Sequence, residues 1–179
     1  EVLDIWKGNL IGQKRDHHWN ASKVYQLVTS IRNANKRCGG QIKVPRSFVV
    51  KGNIERLRSQ FSGELIVKSC SNVRSLVVDG DEFSRWDALP LQYLPTLFQE
   101  KISGNDIRVH VCDEEMWGLE VKEKDTLDYR YAKKGSVAYA KIDMPEFLSL
   151  FCNFLNNFEQ IRLTGIDFLR RGEDFFCLE

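Results

Sequence analysis

The sequence predicts an α+β fold, and three observations lead to it. First, residues 97–102 and 107–111 alternate apolar with polar side chains on either side of Ser103-Gly104-Asn105-Asp106. Period-two alternation around a Gly-Asn turn is the pattern of a β-hairpin. Second, two segments carry apolar residues at helical spacing: Val24, Leu27, Val28, Ile31 and Ala34, and later Phe147, Leu148, Leu150, Phe151, Phe154, Leu155 and Phe158. Third, the chain closes with two apolar runs, 163–169 and 175–179, joined by Arg170-Arg171-Gly172-Glu173-Asp174. Neighbouring strands joined by turns, together with amphipathic helices, make an α+β chain.

A chain of 179 residues holds one to two domains and can bury a sizeable core. Its 26 Lys+Arg against 25 Asp+Glu nearly cancel, which argues against a nucleic-acid or membrane footprint. No apolar run approaches the thickness of a bilayer, and no signal-peptide pattern opens the chain. Cys38, Cys70, Cys112, Cys152 and Cys177 lack CxxC spacing and are odd in number. They read as reduced thiols in a cytoplasmic protein, and a zinc site is not expected.

Taken in order, residues 1–19 hold Trp6, Trp19 and the pair His17-His18 without a clear period. Adjacent histidines point in different directions, so this stretch reads as a solvated linker and not a two-histidine metal site. A helix follows from about residue 20, with Asn20 or Ser22 to cap its start and Gly39-Gly40 to end it. Lys23 lies in its first turn, where a cation opposes the helix dipole unless an anion arrives beside it. Residues 45–50 predict a strand, 54–61 a short amphipathic helix, 65–68 a strand ending at Lys68, and 74–78 another strand. Residues 79–94 read as an irregular connection, 116–121 as a further strand, and 122–134 as a charge-rich loop. Asp143-Met144-Pro145-Glu146 opens the second helix, whose apolar stripe is expected to be core. Near the end, Asp167 interrupts an apolar strand and Glu179 ends its hairpin partner; buried carboxylates need a compensating cation.

Around the central turn, Gln99, Glu100 and Lys101 close one run, and Asp106 and Arg108 open the next. Such a group suits a polar, charged ligand, and equally an exposed hairpin with ordinary surface charges. Lys68 and the charged loop around Arg130 have the same two readings, as ligand-binding or merely solvated cations. The order of these residues resembles the ATP-grasp ligases. Gln99-Glu100 running into Asp106-Ile107-Arg108 is similar to that family's hinge. Asn20-Ala21-Ser22-Lys23 with Gln26-Leu27 resembles the helix bearing its first phosphate-binding lysine, and Val44-Pro45-Arg46-Ser47 its proline-then-hydroxyl strand entry. Ile66-Val67-Lys68 resembles its second lysine strand. Asp128-Tyr129-Arg130, Gly165-Ile166-Asp167 and Leu178-Glu179 follow in matching order. The nearest likeness is to the branch of ribosomal-protein glutamate ligases and microviridin-type (graspetide) peptide ligases. One departure is the stretch 69–74, which has no glycine where many relatives lay backbone N–H groups on phosphates.

The resemblance implies an ATP-grasp fold, two α+β subdomains gripping a nucleotide between antiparallel sheets. The expected division is 1–44 as linker and first grasp helix, 45–94 as the small clasping subdomain, and 95–179 as the C-terminal grasp subdomain with hinge and metal site. The chain begins at Glu1 without Met and stops at Glu179 after an apolar strand. An N-terminal domain and a C-terminal tail are therefore expected to lie outside it. The implied function is an ATP- and Mg²⁺-dependent ligase joining a carboxylate to an amine or hydroxyl through an acyl phosphate, on a peptide or protein acceptor. Oligomeric state is left open, dimers and tetramers being common in the family. The implied cofactor-binding residues are Lys23, Lys68, Gln99, Glu100, Lys101, Ile102 and Asp106. Glu100 and the backbone near Ile102 would read adenine, and Asp106 the ribose hydroxyls. Asp167 and Glu179 would hold Mg²⁺, unless Asp167 pairs with an arginine such as Arg130. Arg130 and Arg108 are the implied catalytic cations, Arg108 either orienting Asp106 or touching phosphate. A module that binds nucleotide or peptide without turnover, and an α+β domain without a ligand, are the other readings.

Overall fold

A helical stretch forms where the apolar spacing predicts it, and Ser22 caps it: its hydroxyl accepts from the Tyr25 N–H at 3.4 Å. The computed structural model describes residues 22–52, 64–70, 78–79, 93–123, 133, 137–159 and 163–179. The stretch runs as α1 (Lys23–Tyr25), a π-helical segment (Gln26–Ser30) and α2 (Ile31–Arg37). Gly39 and Gly40 then take positive φ, 78° and 75°, a conformation glycine reaches without a Cβ penalty. Asn35 closes the turn that follows: its side chain accepts from the Ile42 N–H and donates to the Ile42 carbonyl. This delivers Lys43 to the edge of a sheet, where its N–H donates to the Phe175 carbonyl at 2.8 Å and its carbonyl accepts from the Cys177 N–H at 2.9 Å.

Strands β1 (Ser47–Val50), β2 (Leu65–Ser69), β3 (Val78–Asp79) and β4 (Thr96–Glu100) form one antiparallel sheet in the order β1-β4-β2-β3. Strands β5 (Asn105–Cys112), β6 (Glu115–Glu123), β7 (Ala138–Ile142), β8 (Leu163–Arg171) and β9 (Asp174–Cys177) form the second, in the order β7-β6-β5-β8-β9. The predicted hairpin of 97–111 is thus not a hairpin. Both edges of β4 are taken by β1 and β2, and both edges of β5 by β6 and β8, so the two runs have no edge left for each other. Alternation correctly identified two strands, but a period reports which face a residue takes and not which strand lies alongside. Gly104, read as a turn residue, sits in the crossover between sheets, where a Cβ would lie 2.5 Å from the Arg170 carbonyl oxygen. The hairpin turns fall instead at Asp113-Glu114, with Asp113 at φ 51°, and at Gly172, φ 61°.

The core lies on one face of the five-stranded sheet. Along β5, Ile107, Val109 and Val111 are buried, whereas Arg108 and His110 take the opposite face and are only half-buried. Helix α3 (Glu146–Glu159) covers the buried face with Leu148, Phe151 and Cys152, joined by Leu27, Ile31 and Ala34 from the first helices. Phe151 meets Phe168 of β8 edge to face at 5.9 Å, and Phe147 meets Phe175 of β9 at 5.7 Å. The stripe on α3 is not all core, however: Leu150, Phe154 and Phe158 are exposed. Seven apolar residues span a wider arc than one sheet face can cover. The expected helix over 54–61 and most of the strand over 74–78 lie outside the described residues; of the latter, Val78 belongs to β3.

A carboxylate inside this sheet holds the crossover in place. Glu120 of β6 is 1% exposed and receives the Asn105 amide at 2.7 Å, the Arg170 guanidinium at 3.0 Å and the Lys122 ammonium. Two cations and an amide supply the compensation that a buried carboxylate requires. The Lys122 hydrogen bond, above all, holds the Glu120 carboxyl below its ordinary value of 4.5, and the Asn105 bond and the two positive charges add to this against the effect of burial.

Two outcomes follow for stability. Phe151→Ala is expected to lower the unfolding free energy by about 3–5 kcal/mol in a urea titration; a loss below about 1 kcal/mol would contradict its place in the core. Glu120 has a lowered carboxyl in the folded state, so its contribution is complete above pH 4.5 and disappears as pH falls below that value. Glu120→Gln should flatten the loss of stability between pH 4.5 and lower values, measured by thermal unfolding across pH, and an unchanged slope would remove Glu120 from the account.

Candidate functional site

The face of the five-stranded sheet opposite the core carries the polar residues, because strand alternation that buries Ile107 and Val109 turns Asp106, Arg108 and His110 the other way. Register then sets Arg108 opposite Asp167 on β8. Their side chains make an ion pair, Arg108 Nη1 to Asp167 Oδ1 at 2.6 Å, with the two side chains 31% and 16% exposed. The partner that the structure gives Asp167 is Arg108; Arg130 lies outside the described residues. Glu179 comes to the same place because the chain continues past β9 still bonded to β8. The Leu178 N–H donates to the Asp167 carbonyl, and the Asp167 N–H to the Glu179 carbonyl, both at 2.8 Å.

Lys23 arrives from the first helical turn. It is 2% exposed, and its ammonium pairs with Glu179 Oε2. Its backbone N–H donates to the Cys70 carbonyl at 3.0 Å, just beyond the end of β2. That bond places the start of the helix against the strand carrying Lys68, a residue only 7% exposed. Lys68 and both carboxylates act on one thiol. Burial, first, pushes Cys177 well above its ordinary value; the charges of Asp167 and Glu179 add to this, and Lys68 opposes it. The structure therefore brings Lys23 to Glu179 and Arg108 to Asp167 on adjoining main chain, with the strand that carries Lys68 tied to the start of the helix.

The hinge residues are held elsewhere. Gln99, 2% exposed, donates from Nε2 to Ser47 Oγ at 3.0 Å. The Glu100 N–H donates to the Arg46 carbonyl at 2.8 Å, and the Lys101 N–H to the Glu64 carbonyl at 3.0 Å. The Lys101 ammonium also meets Glu64 Oε2 at 3.1 Å. Ile102 is buried and Asp106 half-buried, on either side of the crossover between the sheets. These five residues line the passage from one sheet to the other, and none of them takes part in the Arg108–Asp167 or Lys23–Glu179 ion pair.

Sequence reasoning missed Glu120 with Asn105, Lys122 and Arg170. Its signal was present, a carboxylate between Leu119 and Val121 in an apolar strand, but the cations that compensate it come from two different strands. Lys23 was visible as a cation badly placed for the helix dipole, while its burial depends on a partner at the far end of the chain.

Chemically, the carboxylates of Asp167 and Glu179, whose main chains are hydrogen-bonded to each other, are hard oxygen donors. Among the described residues no group of three or more His, Cys, Asp or Glu comes together. This donor set fits Mg²⁺, which is commonly held by one or two carboxylates and completes its shell with phosphate oxygens and water. It does not fit a transition metal caged by protein ligands alone.

No family model matches the sequence, and no curated protein is similar to it. Solved structures do match. The ATP-grasp ligase PsnB, complexed with a phosphomimetic variant of minimal precursor, Mg and ADP, aligns over 99% of this chain at 23% identity with a TM-score of 0.74. A Chryseobacterium gregarium RiPP-associated ATP-grasp ligase, in complex with ADP and a leader and core peptide, aligns over 99% at 18% identity and TM-score 0.73. D-alanine–D-alanine ligase from Bacillus anthracis aligns over 83% at 16% identity and TM-score 0.60. The chain spans 56%, 56% and 54% of those chains, a little over half of each. The chain has the ATP-grasp fold.

Proposed function

We propose that this chain is the nucleotide-binding part of an ATP- and Mg²⁺-dependent ligase that joins a carboxylate to an amine or hydroxyl on a peptide or protein acceptor. The observation that carries this reading is the pairing of Lys23 with Glu179 and of Arg108 with Asp167, from separate elements of an ATP-grasp fold. Precursor peptides bound to PsnB and to the Chryseobacterium ligase support the peptide acceptor.

In this reading, Glu100 and the backbone at Ile102 receive the adenine edge, Asp106 accepts from the ribose hydroxyls, and Gln99 and Lys101 set the strand end between them. Lys23 and Lys68 lie along the phosphates, and Arg108, with Arg130, faces the group being transferred. A substrate carboxylate oxygen attacks the γ-phosphorus, the bond to the β–γ bridging oxygen breaks, and ADP leaves. The amine or hydroxyl then attacks the acyl carbon, loses its proton, and expels phosphate. Phosphorylation replaces an oxide leaving group with a good one, and phosphoryl transfer asks of the protein chiefly placement and charge. Bound by Asp167 and Glu179, Mg²⁺ would neutralise charge on the phosphate oxygens. Lys23 and Arg108 pair with those carboxylates; were Mg²⁺ held there, the two cations would be released toward the phosphates, and nucleotide and metal would reinforce each other's binding.

A second reading, a module that binds without turnover, is favoured by the glycine-free stretch 69–74. ADP release in the presence of candidate precursor peptides separates the two, since a binding module releases none above background.

The direct test is thermal unfolding of the full-length protein with Mg-ATP. At a hundredfold excess over Kd the stabilisation should be about 2.7 kcal/mol. Lys68→Met should weaken binding roughly ten- to hundredfold, the loss of one charge-assisted hydrogen bond to phosphate. No shift with the unsubstituted protein would contradict the reading.

A further inference from the structure

Seven glycines are described, and their surroundings sort them by purpose. Gly39, Gly40, Gly52 and Gly172 take positive φ and have open space where a Cβ would stand. Gly104 abuts the Arg170 backbone, and Gly118 abuts Ile142 and Met144, so these two serve close packing. Gly165 is different. Its φ is not in the left-handed region, so the backbone does not require glycine there. It lies within β8, paired with His110 of β5, where a glycine weakens a strand and contributes no side chain to the sheet. What occupies the place of its side chain is the head of Arg108: an ideal Cβ would fall 2.2 Å from Nη2, 2.5 Å from Cζ and 2.6 Å from Nε.

Register explains the arrangement. Arg108 stands opposite Asp167, while Gly165 stands opposite His110 on the same face, diagonal to Arg108. The guanidinium therefore lies down across β8, with Asp167 Oδ1 at 2.6 Å from Nη1 and the bare Cα of Gly165 beneath its other atoms. With a methyl at 165, those atoms would have to withdraw to the 3.4–4 Å of ordinary contact, about 1 Å further out. The guanidinium, at the far end of a flexible side chain, would shift to make room and re-aim its contact with Asp167.

We infer that Gly165 is a positioning residue: the space it leaves sets the depth at which the Arg108 guanidinium lies beside Asp167, and so the position from which Arg108 turns to a phosphoryl group. The inference rests on the nucleotide reading above and deepens it, by making a residue without any side chain decide the geometry of a site cation. Arg108 touches the substrate; Gly165 acts through it. A displacement of about 1 Å in such a group is enough to cost up to a hundredfold in a well-oriented reaction.

The test is a double-mutant cycle in the full-length protein, reading the Kd of Mg²⁺ with a non-hydrolysable ATP analogue by calorimetry. Gly165→Ala should weaken binding roughly tenfold or more in the parent background, and by less than about twofold when Arg108 is already Ala. Equal penalties in the two backgrounds, or no penalty in either, would overturn the inference while leaving nucleotide binding intact. Failure of the parent protein to bind the analogue would overturn the nucleotide reading and this inference with it. If Gly165→Ala alone fails to fold but Gly165→Ala with Arg108→Ala folds, the clash is with Arg108 and the inference stands; if both fail to fold, it falls.

Discussion

Two carboxylates held side by side, each against a cation delivered by another part of the chain, are the constraint on which the rest depends. Asp167 and Glu179 are tied to each other by the main chain, so neither can move away from the other's charge. Their mutual repulsion in a half-buried place is tolerable only with positive partners. Lys23 comes from the first helical turn and Arg108 from the neighbouring strand, while Lys68 approaches from the other sheet. The ion pair between Lys23 and Glu179 spans 156 residues of sequence, so the helix, the small sheet and the chain end all meet at one centre.

The same accounting explains the crossover. The linkage between the sheets is short and passes over the Arg170 backbone, which Gly104 permits. Glu120 then fastens its far end through Asn105 and Arg170. The polar network holds the crossover to the large sheet, whereas Gln99, Glu100 and Lys101 are bonded to Ser47, Arg46 and Glu64 on the side of the small sheet. Each end of the passage is thus anchored to a different sheet.

Much of the fold was legible from local pattern. Period-two alternation found β4 and β5, apolar runs found β8 and β9, and helical spacing found the buried Leu27, Ile31, Ala34, Leu148 and Phe151, because these signals are local to one element. Pairing was legible for the closing hairpin of β8 and β9, but not for the run around the central turn. The run 97–111 looked like a hairpin since a Gly-Asn pair has the same local chemistry whether it turns a strand back or releases it into another sheet. The exposure of Leu150, Phe154 and Phe158 also escaped, as a stripe does not state how much of it a neighbour will cover. In the site, the individual charged residues were visible, but which charge meets which was set by register: Arg108 was assigned to ribose or phosphate, and its partner Asp167 emerges only once β5 and β8 are aligned.

The central claim is that Asp167 and Glu179 share one divalent cation with the phosphates of a nucleotide. The anomalous scattering of Mn²⁺, substituted for Mg²⁺ in crystals of the full-length protein grown with a non-hydrolysable ATP analogue, tests it most directly. The account predicts a peak bridging the two carboxylates and the phosphate oxygens, with Lys23 and Arg108 turned away from the carboxylates toward phosphate. A peak away from these carboxylates, or a nucleotide seated in another cavity with both ion pairs unbroken, would contradict it.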